Sequence, residues 1–111
     1  MKSSLKLLVA GAAFVAAAAL THAAPAAENW DNLCAKCHGA DGKGLTNIGK
    51  KLKVKDYTDA KVQAELKDDA MEKAIADGVT ENTKERMKGF KDEISAAEIK
   101  DLVAYIRKFK A

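Results

Sequence analysis

The chain has 111 residues, of which 48% are hydrophobic and 32% are charged. These proportions are typical of one globular domain and exclude a disordered or fibrous chain. The formal net charge is only +3, and we expect no nucleic-acid partner.

The start of the chain has the layout of a secretory signal peptide. Lys2 and Lys6 are followed by a run of fourteen uncharged and mostly apolar residues, 7–20. This run is shorter than the about 20 apolar residues that a membrane-spanning helix needs. Small residues before position 24 predict cleavage after Ala23, with Ala26 as a later alternative. We therefore expect export to the periplasm through a Sec-type leader and no stable membrane insertion after cleavage.

The predicted leader covers residues 1–23 and leaves a domain over 24–111. This domain has 88 residues (111 minus 23), and its single histidine is His38. A domain of this size is small for a self-sufficient hydrophobic core, and such domains often depend on a cofactor or another cross-link.

The first predicted helix of the domain leads directly into a pair of cysteines. Pro25 is well placed at its start. Apolar residues recur along one side of this helix at Ala26, Trp30, Leu33, Cys34 and Cys37. Four glycines then interrupt any regular period, so we predict a glycine- and lysine-rich loop over 39–56.

Two short helices are predicted next. Thr58 can cap the second helix of the domain. Asp69 and Glu72 resemble a capping pair for the third helix, which carries Met71 on its apolar face and ends at Gly78.

The last helix has the clearest signals of the chain. Ser95 and Glu98 form a capping box, and apolar residues keep a helical period from Ile99 to Phe109. We predict a loop between the third and last helices, up to Glu93, and find no strand pattern. The expected fold is therefore a single all-α domain of about four short helices.

The chemistry of the chain is concentrated in Cys34-Ala35-Lys36-Cys37-His38. This spacing is the pattern of c-type haem attachment. Residues three apart share a helix face, so both thiols can reach the two vinyl groups at one porphyrin edge. The histidine that follows can turn its imidazole toward the iron. We therefore predict one haem c, attached by two thioethers, with His38 as an iron ligand.

A disulfide and a zinc site are the two alternatives for the same residues. A disulfide between Cys34 and Cys37 usually belongs to a thioredoxin-like βαβ context, and no strands are predicted here. A structural zinc site needs four ligands, and the domain offers three before carboxylates are invoked.

Over nearly the whole predicted domain, roughly 26–110, the chain resembles a small bacterial class I c-type cytochrome. His38 and Gly39, followed by Gly42 and Gly44, are similar to the glycine-punctuated loop after the proximal histidine of that family. The resemblance implies a cytochrome c-like fold of helices around one haem.

Both terminal helices contribute to the resemblance. Trp30 lies four residues before Cys34, where the family keeps an aromatic residue, and the small residue Ala26 lies four earlier. The segment 102–106 resembles the last helix of the family, which crosses the first helix near that small residue. The family often has a proline in the loop after the histidine and another after the distal methionine, whereas Lys88 occupies the second place here.

Elimination first reduces the candidates for the second iron ligand. His38 is the only histidine of the predicted domain, and Cys34 and Cys37 are used in the thioethers. The remaining donors are Met71, Met87, a lysine or water.

Position along the chain favours Met87. Met71 lies in a predicted helix, where core packing explains it. Met87 lies in a predicted non-helical stretch, far enough from His38 for the chain to cross to the other haem face. The methionine of the resembled family is followed within two or three residues by an aromatic residue, which matches Met87 and Phe90. Lys88 or an open site remains the alternative.

The expected function is a periplasmic electron carrier with one haem and His38 and Met87 as axial ligands. The alternative is a haem domain with an open sixth site that acts as a sensor or a peroxidase. We expect a monomer whose partners are redox proteins. The segments 36–55 and 84–91 carry net charges of +5 and +3, whereas 56–82 carries −5, so docking onto acidic partners through the lysine-rich segments is predicted.

Overall fold

A computed structural model describes residues 23–110 of the chain. Apart from Ala23, the predicted leader lies outside the described residues. Helix α1 consists of three consecutive segments, Ala26–Asn29, Trp30–Cys34 and Ala35–His38, of which the middle one is a π-helix. The other elements are α2 (Asn47–Leu52), α3 (Ala60–Glu65), α4 (Asp68–Asp77), β1 (Val79–Glu81), β2 (Lys84–Met87) and α5 (Ala96–Arg107).

The two terminal helices pack against each other, as predicted. The first segment of α1 contacts α5, and Ala26 packs against the core at this crossing. The Asn29 side chain, which is buried, donates a hydrogen bond of 2.9 Å to the Glu98 carboxylate at the start of α5. The core between the helices consists of the buried residues Trp30, Cys34, Met71, Ile75, Phe90, Ile94, Ile99, Leu102, Val103 and Ile106.

The predicted ends of the helices are partly confirmed. The capping box of Ser95 and Glu98 is present at α5, and α4 ends before Gly78. The prediction that Thr58 caps α3 is wrong, because the Asp59 side chain accepts the hydrogen bond from the helix. Asp69 does not cap α4 either, since the helix begins one residue earlier, at Asp68.

A helix and a β-hairpin occur where loops were predicted. Helix α2 lies inside the predicted loop 39–56, and Thr46 caps it by accepting a hydrogen bond from the Gly49 N–H. Strands β1 and β2 form an antiparallel hairpin with Asn82 and Thr83 at positive φ in the turn. Such φ values suit the turn of a two-residue hairpin. The all-α architecture therefore carries one small hairpin between α4 and α5. Between residues 23 and 110, no helix has the length and apolar character needed to cross a membrane.

Candidate cofactor site

The cysteine pair lies at the C-terminal end of α1, and both thiols are free. Cys34 is buried at the end of the π-helical segment, and Cys37 is half-buried one turn later. Burial, with a smaller contribution from Cys37, raises the pKa of the Cys34 thiol to about 11. One short stretch of helix therefore presents both sulfur atoms, and they are not bonded to each other.

The backbone around His38 is held by the loop that follows it. Gly39 ends the helix at a φ of +84°, a conformation that favours glycine. The Thr46 hydroxyl donates a hydrogen bond of 2.7 Å to the Cys37 carbonyl, and the Gly44 N–H donates one of 2.8 Å to the His38 carbonyl. These bonds satisfy carbonyl groups that the end of a helix leaves without partners. They also fix the path of the chain where it leaves α1 after the motif.

Two aromatic rings, whose own centroids are 6.4 Å apart, lie next to the imidazole of His38. The Tyr57 ring is stacked on it, with centroids 5.3 Å apart and planes 25° apart. The Trp30 ring centroid lies 5.7 Å away on a tilted plane, and its indole N–H donates to the Gly39 carbonyl at 3.0 Å. Trp30 is only 1% exposed. It is therefore a core residue, as predicted, and also a neighbour of the site histidine.

The burial of His38 favours its neutral form. Burial lowers the pKa of the imidazole below its ordinary value, and the neutral form is the one that binds a metal. Its Nδ1 atom is buried and has no hydrogen-bond partner in the described part of the chain. Burial also raises the pKa of Tyr57, so its ring is an uncharged neighbour.

Tyr57 is positioned by its own backbone. Its N–H donates to the Gly42 carbonyl at 2.8 Å, and its carbonyl accepts from the Gln63 side chain at 2.7 Å. Gln63 is buried and also donates to the Ile106 carbonyl at 2.9 Å. A chain of hydrogen bonds thus connects α5, through α3, to the residue that stacks on His38.

This set of donors suits a c-type haem better than a metal ion held by protein alone. Two free thiols three residues apart and an adjacent neutral imidazole are the groups that covalent haem attachment uses. A protein-only metal site needs several converging ligands. Residues 23–110 contain no group of three histidine, cysteine or acidic side chains that could hold an ion. Cys34, Cys37 and His38 therefore fit haem.

Met87 lies on a different element from the motif. It is the last residue of β2, is half-buried and packs against the core. A side-chain carbon at Gly78 would lie 2.6 Å from the Met87 carbonyl oxygen, so glycine is needed for this close approach. Phe90 directly follows Gly89 and anchors the segment. Its side chain is buried, and its N–H donates to the Ile75 carbonyl of α4 at 2.8 Å.

The competing donors are engaged elsewhere. Met71 is buried in α4 within the hydrophobic core, the position that its helical periodicity predicted. The Lys88 ammonium forms an ion pair of 2.8 Å with Glu93 and lies 5.6 Å from the centre of the Phe90 ring. The Glu93 carboxylate raises the pKa of Lys88, which favours the protonated amine, a form that has no free electron pair for iron. The assignment of Met87 remains a prediction.

Three residues that surround the site were missed from the sequence. Thr46 carries a local signal, since a threonine three residues before the Gly49 N–H that it binds can cap a helix. Tyr57 and Gln63 carry none, because each follows from contacts between segments distant in sequence.

Comparisons with known proteins agree with this geometry. The family described as "Cytochrome C oxidase, cbb3-type, subunit III" matches residues 21–106. The solved structure titled "KustC0563 c-type cytochrome" is 30% identical, with a TM-score of 0.70, and the match covers 79% of this chain and 100% of that chain. A point mutant of that protein matches at 30% identity and a TM-score of 0.67, covering 78% of this chain and 100% of its own. Among curated proteins the chain has no match.

Proposed function

The chain belongs to the family described as cytochrome c oxidase, cbb3-type, subunit III, and we propose that it is a periplasmic c-type cytochrome that carries one electron at a time. The observation that carries the proposal is the placement of two cysteines three residues apart, directly followed by the imidazole of His38, at the end of α1. The haem c of this family supplies, when bound, a reversible one-electron couple between Fe(II) and Fe(III).

Each residue of the motif has a separate task in this proposal. Cys34 and Cys37 hold the haem through thioether bonds, and His38 supplies one axial ligand. The rings of Trp30 and Tyr57 both lie next to the imidazole and next to each other. Their rings exclude water from it and limit its rotation, which favours one ligand geometry in both oxidation states.

Met87 supplies the other axial ligand in this proposal. Its support is the anchored and half-buried position at the end of β2, together with the core position of Met71. A thioether and an imidazole together raise the reduction potential relative to a second imidazole. A carrier with these ligands suits partners at the oxidising end of an electron-transfer chain.

The docking surface of the proposal is formed by two basic segments, 36–55 and 84–91. The Arg86 guanidinium donates a hydrogen bond of 2.8 Å to the Leu52 carbonyl, so the segments are in contact. The six lysines of the first segment are exposed. Leu45, an exposed apolar residue, lies among them. A basic surface with an exposed apolar residue suits a transient complex with an acidic redox protein.

A visible spectrum of a periplasmic extract tests the proposal. We expect a sharp low-spin c-type spectrum that changes reversibly on reduction. A high-spin spectrum would replace the carrier by a sensor or peroxidase with an open sixth site. A periplasmic protein without a haem band would reject both functions.

A further inference from the structure

The nitrogen of Ala24 lies close to a carboxylate of the last helix. The Ala24 N–H donates a hydrogen bond of 3.2 Å to Glu98 Oε2. The same oxygen accepts from the Asn29 side chain at 2.9 Å, and Glu98 Oε1 accepts from the Ser95 N–H at 2.9 Å. Glu98 therefore connects the residues before α1 with the start of α5.

We propose that the leader is cut between Ala23 and Ala24, and that the new terminal ammonium of Ala24 forms an ion pair with Glu98. The inference rests on the export proposed above. A signal peptidase supplies the reaction, in which water hydrolyses the peptide bond. Ala23 leaves with the new carboxylate, and the nitrogen of Ala24 gains the new charge as –NH3+.

The later cleavage site after Ala26 does not fit the structure. Such a cut would remove Pro25, whose carbonyl accepts the N–H groups of Glu28 and Asn29 at 3.0 and 3.1 Å. It would also remove Ala26, which packs against the core. A cut before Ala24 retains both contacts.

The two residues at the proposed cut differ in exposure. Ala23 is exposed, whereas Ala24 is half-buried and bonded to Glu98. Cleavage after Ala23 therefore retains Ala24 and its bond to Glu98 in the mature protein.

The starts of α1 and α5 give an electrostatic reason for the ion pair of Ala24 and Glu98. The N-terminal end of a helix carries partial positive charge and attracts anions, whereas a nearby cation is unfavourable. Glu98 lies in the first turn of α5 and beside the start of α1. Its carboxylate offsets the positive charge that processing creates next to α1. A neutral amide donor in the precursor becomes a charged donor in the mature chain, and charged donors form stronger hydrogen bonds.

The first test is the intact mass of the holoprotein purified from the periplasm. We expect a chain that begins at Ala24 and carries one haem. A periplasmic haem protein that begins at another residue would overturn the cleavage site but leave the proposed function standing. A protein that is not exported, or that lacks haem, would reject the proposed function itself.

The second test measures whether the ammonium of Ala24 and the carboxylate of Glu98 interact. Glu98→Gln is compared in two holoproteins, one that begins at Ala24 and one with a glycine inserted before Ala24, which moves the ammonium away. We expect Glu98→Gln to reduce the folding equilibrium constant about two- to fivefold more in the first protein than in the second. Glu93→Gln, which removes a carboxylate paired with Lys88, is the matched control and should lose the same amount in both. An equal loss for Glu98→Gln in both proteins would overturn the ion pair.

Discussion

The imidazole of His38 is stacked on the ring of Tyr57, with centroids 5.3 Å apart and planes inclined by 25°. Tyr57 cannot move freely, because its N–H and carbonyl are bonded to Gly42 and Gln63. These bonds hold the Tyr57 backbone beside His38. The Trp30 ring lies next to both, with its centroid 5.7 Å from that of His38 and 6.4 Å from that of Tyr57.

Replacing Tyr57 by leucine removes the stacked ring while keeping an apolar side chain. We expect a loss of about 1–2 kcal/mol of stability and a broader distribution of imidazole orientations in the oxidised holoprotein. Urea unfolding and the electron paramagnetic resonance spectrum measure the two effects. Tyr57→Phe keeps the ring and is the matched control. A leucine variant with the spectrum and stability of the Phe variant would show that stacking does not orient His38.

The cysteine pair is tested by the double change of Cys34→Ser and Cys37→Ser. We expect a chain without covalently held haem, measured by haem staining after denaturing electrophoresis. The helical signal in circular dichroism should fall as well, because a domain of this size loses the apolar plate around which it folds. Lys36→Ala, an exposed position between the two cysteines, should retain haem and helicity. Acid-stable haem in the double variant would contradict the attachment motif.

Met87→Ala tests the second ligand. Loss of a thioether ligand should abolish the weak sulfur-to-iron charge-transfer band of the oxidised protein, lower the reduction potential and open the iron to added ligands such as cyanide. Absorption spectroscopy and potentiometric titration measure these changes. The fold should persist, because Met87 is only half-buried.

Met71→Ala is the matched control, since it removes the same side chain from a helix of the core. We expect a loss of about 2 kcal/mol or more from the cavity, because Met71 is 6% exposed, and an unchanged charge-transfer band. The reverse pattern, with the band lost in the Met71 variant and kept in the Met87 variant, would assign the ligand to Met71.

The features that the sequence predicts correctly are local ones. The helix that carries Cys34, Cys37 and His38 is predicted from its apolar period, and the capping box of Ser95 and Glu98 from a separation of three residues. These features depend on residues that are close in sequence, and such residues stay close in the folded chain. The packing of the first helix on the last was predicted from a family resemblance, which supplies long-range information that periodicity lacks.

The features that the sequence does not predict depend on distant contacts or on exposed backbone. The β1–β2 hairpin is solvent-exposed over most of its length, so it lacks the apolar alternation by which strands are recognised. The stacking of Tyr57 on His38 depends on Gln63, whose burial follows from the position of Ile106. The π-helical turn before Cys34 has no sequence signal that we identify.

Glu98 predicts an acid-sensitive contribution to stability. Hydrogen bonds from the Asn29 side chain first, and from the Ser95 N–H second, lower the pKa of Glu98 from 4.5 to about 2. A carboxyl whose pKa is lower in the folded state stabilises the fold above its unfolded pKa. This contribution should be complete above about pH 4.5 and lost as the pH falls toward about 2.

Urea unfolding midpoints of the holoprotein between pH 6 and pH 3, compared for wild type and Glu98→Gln, measure this effect. We expect the variant to lose less stability than the wild type over this interval. Glu65→Gln removes one exposed negative charge at the end of α3 and controls for net charge. Identical pH profiles for wild type and Glu98→Gln would show that this carboxylate does not contribute.

The basic surface formed by 36–55 and 84–91 predicts an association rate that depends on salt. The segments touch through Arg86 and Leu52, so their charges of +5 and +3 act on an approaching partner together. Charges at a surface are screened over about 10 Å at 0.1 M salt. We therefore expect the second-order rate constant of electron transfer with an acidic redox protein to fall as ionic strength rises.

Charge-removing variants locate this effect on the molecule. Lys36→Gln and Lys50→Gln change exposed lysines of the basic surface, and each should slow association about two- to fivefold at low salt while leaving the haem spectrum unchanged. Lys67→Gln changes an exposed lysine of the acidic segment 56–82 and should have little effect, although it removes the same charge. Stopped-flow measurements at several ionic strengths compare the three variants with the wild type. Equal slowing by all three would mean that only net charge matters, and a rate that ignores ionic strength would contradict electrostatic docking altogether.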